Sequence, residues 1–132
     1  MIHRFPWTEV TSSTASTTPA YLNQNLESAI SRLSTLPTPI YRNFVIGGAS
    51  IYRDALALKP TEKNYVDRIL LTRIIAPEFE ECDVFIQNFI EEHGDSWKRA
   101  EYWELREWAG FEVPEGEQEE NGVRYEFQMW VR

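Results

Sequence analysis

Two adjacent glycines, Gly47 and Gly48, are the strongest chemical signal in the sequence. They separate an apolar stretch at 44–46, which reads as a buried strand, from a helical pattern at 49–56. Glycines let a ligand approach the backbone closely, and the helix N-terminus offers N–H groups and a partial positive charge to a phosphate. On the glycines alone, a tight turn without a ligand is slightly favoured. The complete G-x-G-x-x-G pattern is absent, which disfavours a conventional Rossmann site.

A second polar group, the hydroxyl of Thr72, interrupts an apolar strand predicted over residues 67–75. A hydroxyl in a buried strand needs a hydrogen-bond partner. That partner could be a ligand or a buried carboxylate. Taken alone, the residue is better interpreted as structural, with its hydroxyl bonded to backbone and its methyl group packed.

Two acidic stretches could suggest a catalytic or metal site, but neither lies near the other residues that such a site would need. Residues 80–83 include Cys82, yet no histidine lies nearby, so a solvated loop with a structural cysteine is favoured over a metal site. The acidic run at 115–120 is interpreted as a solvated hairpin loop. No metal is therefore expected.

The elements that would position these groups can be predicted from periodicity. Apolar residues at helical spacing predict a helix from residue 26 to 33, with Asn25 as its N-cap. Helix and strand then alternate through residue 75, which predicts parallel strand pairs with covering helices. Strict alternation at 123–131, after the turn signal Asn121-Gly122, predicts a half-buried strand. We expect it to pair with 97–108 as an antiparallel hairpin.

Composition limits the classes of protein to consider. With 132 residues, 42% of them hydrophobic, the chain is expected to form one domain, 1–132, with a flexible Ser/Thr-rich loop at 6–19. The formal net charge of -8 makes nucleic acid an unexpected partner, and a phosphate-bearing ligand would need a locally positive pocket. One cysteine and no long apolar run predict a cytoplasmic protein that does not contact membranes.

Four segments in order resemble dihydrofolate reductase, and its fungal members most closely. Residues 44–52 resemble the cofactor-binding turn of that family, and 66–74 resemble the strand that carries its pterin-pocket threonine. Residues 81–85 resemble the stretch that follows, although the family usually continues into Phe-Pro where this chain has Ile86-Gln87. Residues 119–127 resemble the closing hairpin. The resemblance implies an α/β fold with a mixed sheet, flanking helices and a C-terminal antiparallel hairpin.

The resemblance also implies a site for NADPH and 7,8-dihydrofolate. The cofactor-binding residues it implies are Arg4, Ile46, Gly47, Gly48, Ala49, Ser50, Ile51 and Tyr52. Arg4 would contact the 2′-phosphate, Ile46 would line the nicotinamide side, and the family joins the glycine pair by a cis peptide bond. Backbone N–H groups of 49–51 would face the pyrophosphate, and Tyr52 would pack near the nicotinamide ribose. Thr72 would hold the pterin through the catalytic carboxylate and a water.

The resemblance implies no counterpart in this sequence for the family's catalytic acid. In the family, that residue lies on a helix upstream of every matched segment. Glu9 cannot replace it, because it lies in the Ser/Thr-rich stretch. The expectation is therefore a chain truncated at its N-terminus, with no catalytic residue of its own and doubtful activity in isolation. If complete, the protein would be a monomeric enzyme of one-carbon metabolism. The alternatives are a non-catalytic fragment or pseudoenzyme that retains part of the NADPH site, and a reductase of the riboflavin-biosynthesis type.

Overall fold

Helices and strands of a single antiparallel sheet make up the structure. The computed structural model describes residues 20–59, 61, 64–93 and 96–132. The elements in chain order are α1 (Leu26–Ser34), α2 (Ala49–Leu56), β1 (Arg68–Ala76), α3 (Phe89–His93), β2 (Lys98–Arg99), α4 (Tyr102–Ala109), β3 (Glu117–Glu120) and β4 (Val123–Val131). None of the helices in these ranges is long and apolar enough to cross a bilayer.

Strand β4 is the centre of the sheet. β1 pairs with it along one edge, and the register places Thr72 opposite Phe127. On the other edge, β3 forms a hairpin with the start of β4, and β2 pairs with its end. The hairpin turns through Asn121 and Gly122, both with positive φ (51° and 79°), as tight hairpin turns require. The predicted α/β class, flanking helices and C-terminal antiparallel hairpin are confirmed.

Two small apolar clusters cover opposite faces of β4, because neighbouring residues of a strand point to opposite sides. The first cluster comprises Leu56, Phe89 and Trp97, with Val66, Ile69 and Trp130 packed against them. The second comprises Leu105, Val113 and Met129, with Ala100, Tyr102, Trp108, Ala109 and Val131 around them. Helix α2 contributes to the first cluster and α4 to the second, so β4 joins both halves of the core.

The strand predicted at 97–108 is wrong over most of its length. Only Lys98–Arg99 pairs with β4, and Tyr102–Ala109 is helical. The helix has a reciprocal capping box between Glu101 and Glu104 and ends at Gly110, whose φ of 77° suits glycine. The acidic run at 115–120 was also misassigned, because Glu117–Glu120 is the strand that completes the hairpin.

The buried strand predicted at 44–46 is also wrong. The segment is extended, but it has no ladder partner among the described residues, and Phe44 and Ile46 are 60% and 89% exposed. A strand needs a neighbour to satisfy its backbone groups, and periodicity cannot supply one. The strand pairs within the described residues are all antiparallel, so the expected parallel pairs are not found there.

Local signals for the helices were more reliable. Asn25 is the N-cap of α1, as predicted, and its side-chain oxygen accepts a hydrogen bond from the Ser28 N–H at 2.8 Å. The Ser28 hydroxyl accepts in return from the Asn25 N–H at 3.2 Å. α1 ends at Ser34, before Pro37.

One carboxylate on the sheet, that of Glu126, has a depressed pKa. The main cause is a hydrogen bond from the Arg99 guanidinium at 2.8 Å, and the second is one from the Gln128 amide. Gln128 is buried, and its oxygen accepts from the Trp130 indole N–H at 2.9 Å. The four side chains therefore form a connected polar network that stabilises the ionised carboxylate.

Acid should remove the contribution of this network to stability. A carboxylate with a lower pKa in the folded state stabilises the fold above its unfolded pKa of about 4.3, and this stability is lost as pH falls through the folded pKa. We expect Glu126→Gln to lower the melting temperature by about 2–4 °C near pH 7. The difference from wild type should shrink as pH falls through the folded-state pKa of Glu126. Glu119→Gln, at an exposed position of β3, is the control. A deficit that does not shrink as the pH is lowered would contradict the account.

Candidate functional site

The glycine pair forms a sharp turn between an extended segment and α2. Gly47 has φ of 118°, in the region that favours glycine, and the Gly47–Gly48 peptide bond is cis, as the resemblance implied. Gly48 is the N-cap of α2, and its carbonyl accepts a hydrogen bond from the Tyr52 N–H at 3.0 Å. The turn therefore leads directly into the first turn of the helix.

Space around the two glycines differs. A Cβ on Gly47 would lie 3.5 Å from the Tyr52 hydroxyl oxygen, so the tyrosine side chain covers this glycine. A Cβ on Gly48 would meet no atom within 4 Å. The turn is therefore closed by the protein at Gly47 and open at Gly48, where another molecule could approach the backbone.

The N-terminus of α2 is not capped by a side chain of its own N-cap residue. Its N-cap provides no side-chain hydrogen bond, and its first turn contains no acidic residue. α1 and α4, in contrast, both have capping boxes and an acidic side chain in the first turn. The first N–H groups of a helix have no intrahelical acceptor and carry a partial positive charge. In α2 these groups belong to Ala49, Ser50 and Ile51.

A wide groove of about 1130 Å³ runs beside α2, and cations dominate its charge. Its lining begins at Ala49 and Ser50 and includes Arg53, Lys59 and Arg132, and the described residues of the lining include no Asp or Glu. The chain as a whole has a net charge of -8. Three cationic side chains therefore line the described part of the groove next to the glycine turn.

Arg132 is the most firmly held of these cations. Its Nε donates to the Val66 carbonyl at 2.7 Å and its Nη2 to the Leu58 carbonyl at 3.1 Å. The guanidinium also stacks 4.7 Å from the centre of the Trp97 ring. Partial burial lowers the pKa of Arg132 from its ordinary value. These bonds fix one wall of the groove.

Residues 46–52 follow one another through the glycine turn into α2, whereas Thr72 lies on β1. The expectation that Thr72 is buried is wrong: its side chain is exposed, so water can satisfy the hydroxyl. The structure records no hydrogen bond between Thr72 and the glycine turn. Ile46 is 89% exposed and thus accessible to a ligand. Arg4 lies outside the described residues.

Sequence reasoning missed the cations of the groove. Arg53 and Lys59 follow the glycine turn closely along the chain, so their positions near the turn could have been predicted from the sequence. Arg132 reaches the groove only because β1 and β4 pair, and local sequence does not show this. No group of His, Cys, Asp and Glu side chains within the described ranges could hold a metal ion, and Cys82 is exposed and free.

Comparison with curated proteins supplies the family. The chain is 37% identical to a dihydrofolate reductase of Cryptococcus neoformans, over 68% of this chain and 46% of the relative. It is 40% identical to that of Pneumocystis carinii, over 70% of this chain and 43% of the relative. The chain belongs to the dihydrofolate reductase family. A third relative, the dihydrofolate reductase of Candida albicans, is 30% identical over 80% of this chain and 51% of its own length.

The match to dihydrofolate reductases covers only part of each relative. The chain spans about half the length of the curated relatives it matches. No family model matches the chain. The α/β architecture and the C-terminal hairpin are consistent with a dihydrofolate-reductase-like fold.

Proposed function

We propose that this chain provides the NADPH-binding part of a dihydrofolate reductase, which reduces 7,8-dihydrofolate to tetrahydrofolate. The observation that carries the proposal is the glycine turn at the open N-terminus of α2, beside a groove whose described lining includes the cations Arg53, Lys59 and Arg132 and no Asp or Glu. A dianionic pyrophosphate suits this arrangement, since both the helix N-terminus and the cations favour negative charge. The related reductases supply the identity of the ligand.

The chain's own residues fit the cofactor at three places. The open space at Gly48 allows a flat ring or a phosphate to reach the backbone. The N–H groups of 49–51 would hold the pyrophosphate, while exposed Ile46 would lie against the nicotinamide. Tyr52, which already covers Gly47, would pack near the nicotinamide ribose. When bound, NADPH supplies the hydride, and the protein's task is to orient the nicotinamide.

The proposal assigns the remaining contacts to residues outside the glycine turn. Arg4 would bind the 2′-phosphate of NADPH, and Thr72 would hold the pterin end of dihydrofolate. No catalytic acid is assigned within the 132 residues. Exposed apolar side chains on the Thr72 face of the sheet, among them Leu70, Ile74 and Phe127, support a role as one part of a larger fold. We further propose a single domain, monomeric when complete, that acts in cytosolic one-carbon metabolism.

A chain that binds NADPH without catalysing reduction is the second candidate. The exposed apolar face and the match to about half of each relative favour it. A reductase of the riboflavin-biosynthesis type has less support, because the three relatives are all named dihydrofolate reductase.

Turnover separates the two candidates. The purified chain would be mixed with NADPH and dihydrofolate, alone and together with the complementary segment of a fungal dihydrofolate reductase, and loss of nicotinamide absorbance followed. We expect no turnover by the chain alone and antifolate-sensitive turnover by the mixture. Failure of the mixture with intact NADPH binding would favour the non-catalytic candidate. Turnover by the chain alone would refute the assignment of the catalytic acid to another segment.

A further inference from the structure

Arg42 connects the segment before the glycine turn to the rest of the fold. Its Nη1 donates a hydrogen bond to the Trp108 carbonyl at 2.9 Å, and its guanidinium lies 4.1 Å from the centre of the Trp108 ring. Phe44 contacts the same ring edge to face, with the ring centres 6.0 Å apart. The Arg68 guanidinium of β1 lies 5.7 Å from that ring. Trp108 therefore links the segment both to α4 and to the sheet.

These contacts matter because the segment has little else to fix it. Residues 42–48 form no strand ladder within the part of the chain that the structure describes. After the turn, α2 is anchored near its C-terminal end, where Ala55 and Leu56 are buried. The two glycines lie between this anchor and the contacts of Arg42. Without the Arg42 contacts, the edge-to-face contact of Phe44 would be the segment's remaining recorded link to Trp108.

We propose that Arg42 is a positioning residue for the glycine turn: by clamping the segment to Trp108, it holds Gly48 and the first turn of α2 in the geometry that binds the cofactor. The relevance to NADPH rests on the proposed function, whereas the clamp itself does not. A guanidinium suits this role, because its planar fork can stack on an aromatic ring and donate to a carbonyl at once. A lysine could retain the charge but not both contacts.

The NADPH-free protein provides a direct test. The reporter is the Tyr52 amide, whose hydrogen bond to the Gly48 carbonyl breaks when the turn moves away from α2. We expect Arg42→Met to speed hydrogen exchange of this amide about tenfold, from the combined loss of a charged hydrogen bond and a cation–π contact. Exchange in β4 should be unchanged. Trp108→Leu should also speed exchange of the Tyr52 amide. In the double variant, the effects of the two substitutions should not add.

A matched control and a binding measurement complete the experiment. Arg124→Met removes an exposed guanidinium that pairs with Glu117 at 2.7 Å, away from the clamp, and should leave the Tyr52 amide unaffected. Measured at a temperature where every variant is folded, Arg42→Met should also weaken NADPH binding about tenfold. The affinity of Arg42→Lys should lie between those of wild type and Arg42→Met. Unchanged Tyr52 exchange, or an equal rise throughout β4, would overturn the proposal. Faster Tyr52 exchange in Arg42→Met, together with no NADPH binding by the wild-type chain, would keep the clamp and refute only the cofactor assignment.

Discussion

Gly48→Ala is expected to lower the affinity for NADPH about ten- to hundredfold while leaving the melting temperature unchanged. An added Cβ meets no protein atom within 4 Å, and φ of -82° is accessible to alanine. The methyl group would therefore conflict only with a ligand that lies against the backbone. Titration with NADPH, read by tryptophan fluorescence, and thermal unfolding without ligand measure the two effects separately.

The neighbouring glycine is the matched control for this prediction. Gly47→Ala places alanine at φ of 118°, which costs about 1–3 kcal/mol of folding free energy. It should therefore lower the melting temperature as well as the affinity. The two substitutions add the same methyl group one residue apart, so the contrast isolates the ligand contact. Unchanged NADPH affinity in Gly48→Ala would mean that the cofactor does not approach this turn.

Trp97→Ala is expected to cost about 3–5 kcal/mol of the free energy of unfolding, enough to unfold much of the chain. Trp97 is only 3% exposed, lies at the centre of the first apolar cluster, and meets the Phe89 ring edge to face at 5.7 Å. The Arg132 guanidinium stacks on it, so its loss would also loosen one wall of the groove. Equilibrium urea denaturation followed by circular dichroism measures the change.

Trp103→Ala provides the comparison for the core substitution. Trp103 is 62% exposed on α4, and its replacement should change the free energy of unfolding by no more than about 0.5 kcal/mol. Similar losses for the two variants would show that the described core does not carry the stability of the chain.

The elements that could be predicted from sequence are those with local causes. Asn25 caps α1 through atoms only three residues away. The Asn121-Gly122 turn needs positive φ at both positions, which these residue types tolerate. The glycine pair at the start of α2 and the alternating pattern of β4 are also local, and both elements are present.

The failed predictions concern residues whose state depends on distant partners. Residues 44–46 have the composition of a buried strand, but pairing depends on a neighbour. Residues 102–109 carry aromatic residues that favour strands, yet the capping box and Gly110 determine a helix. Glu117–Glu120 looks like a solvated loop and becomes a strand because the hairpin pairs it with β4, where Arg124 forms an ion pair with Glu117.

In the candidate site, too, features with local causes were predictable and features that depend on distant partners were not. The glycine turn and the N-terminus of α2 are adjacent in sequence, so their arrangement was predictable, whereas phosphate binding there stays a prediction. The groove depends on Arg132, which the pairing of β1 with β4 brings near Leu58. Periodicity places Thr72 on a strand but cannot show that its face of the sheet is exposed.

Equilibrium binding of NADPH to the purified chain tests the central claim most directly. Energy transfer from the tryptophans to the bound nicotinamide gives the signal, and Gly48→Ala serves as the matched negative control. We predict saturable binding by the wild-type chain, weakened by Gly48→Ala and by raised salt, because cations line the groove. Absence of saturable binding, or equal binding by both proteins, would contradict the assignment of the glycine turn as a cofactor site.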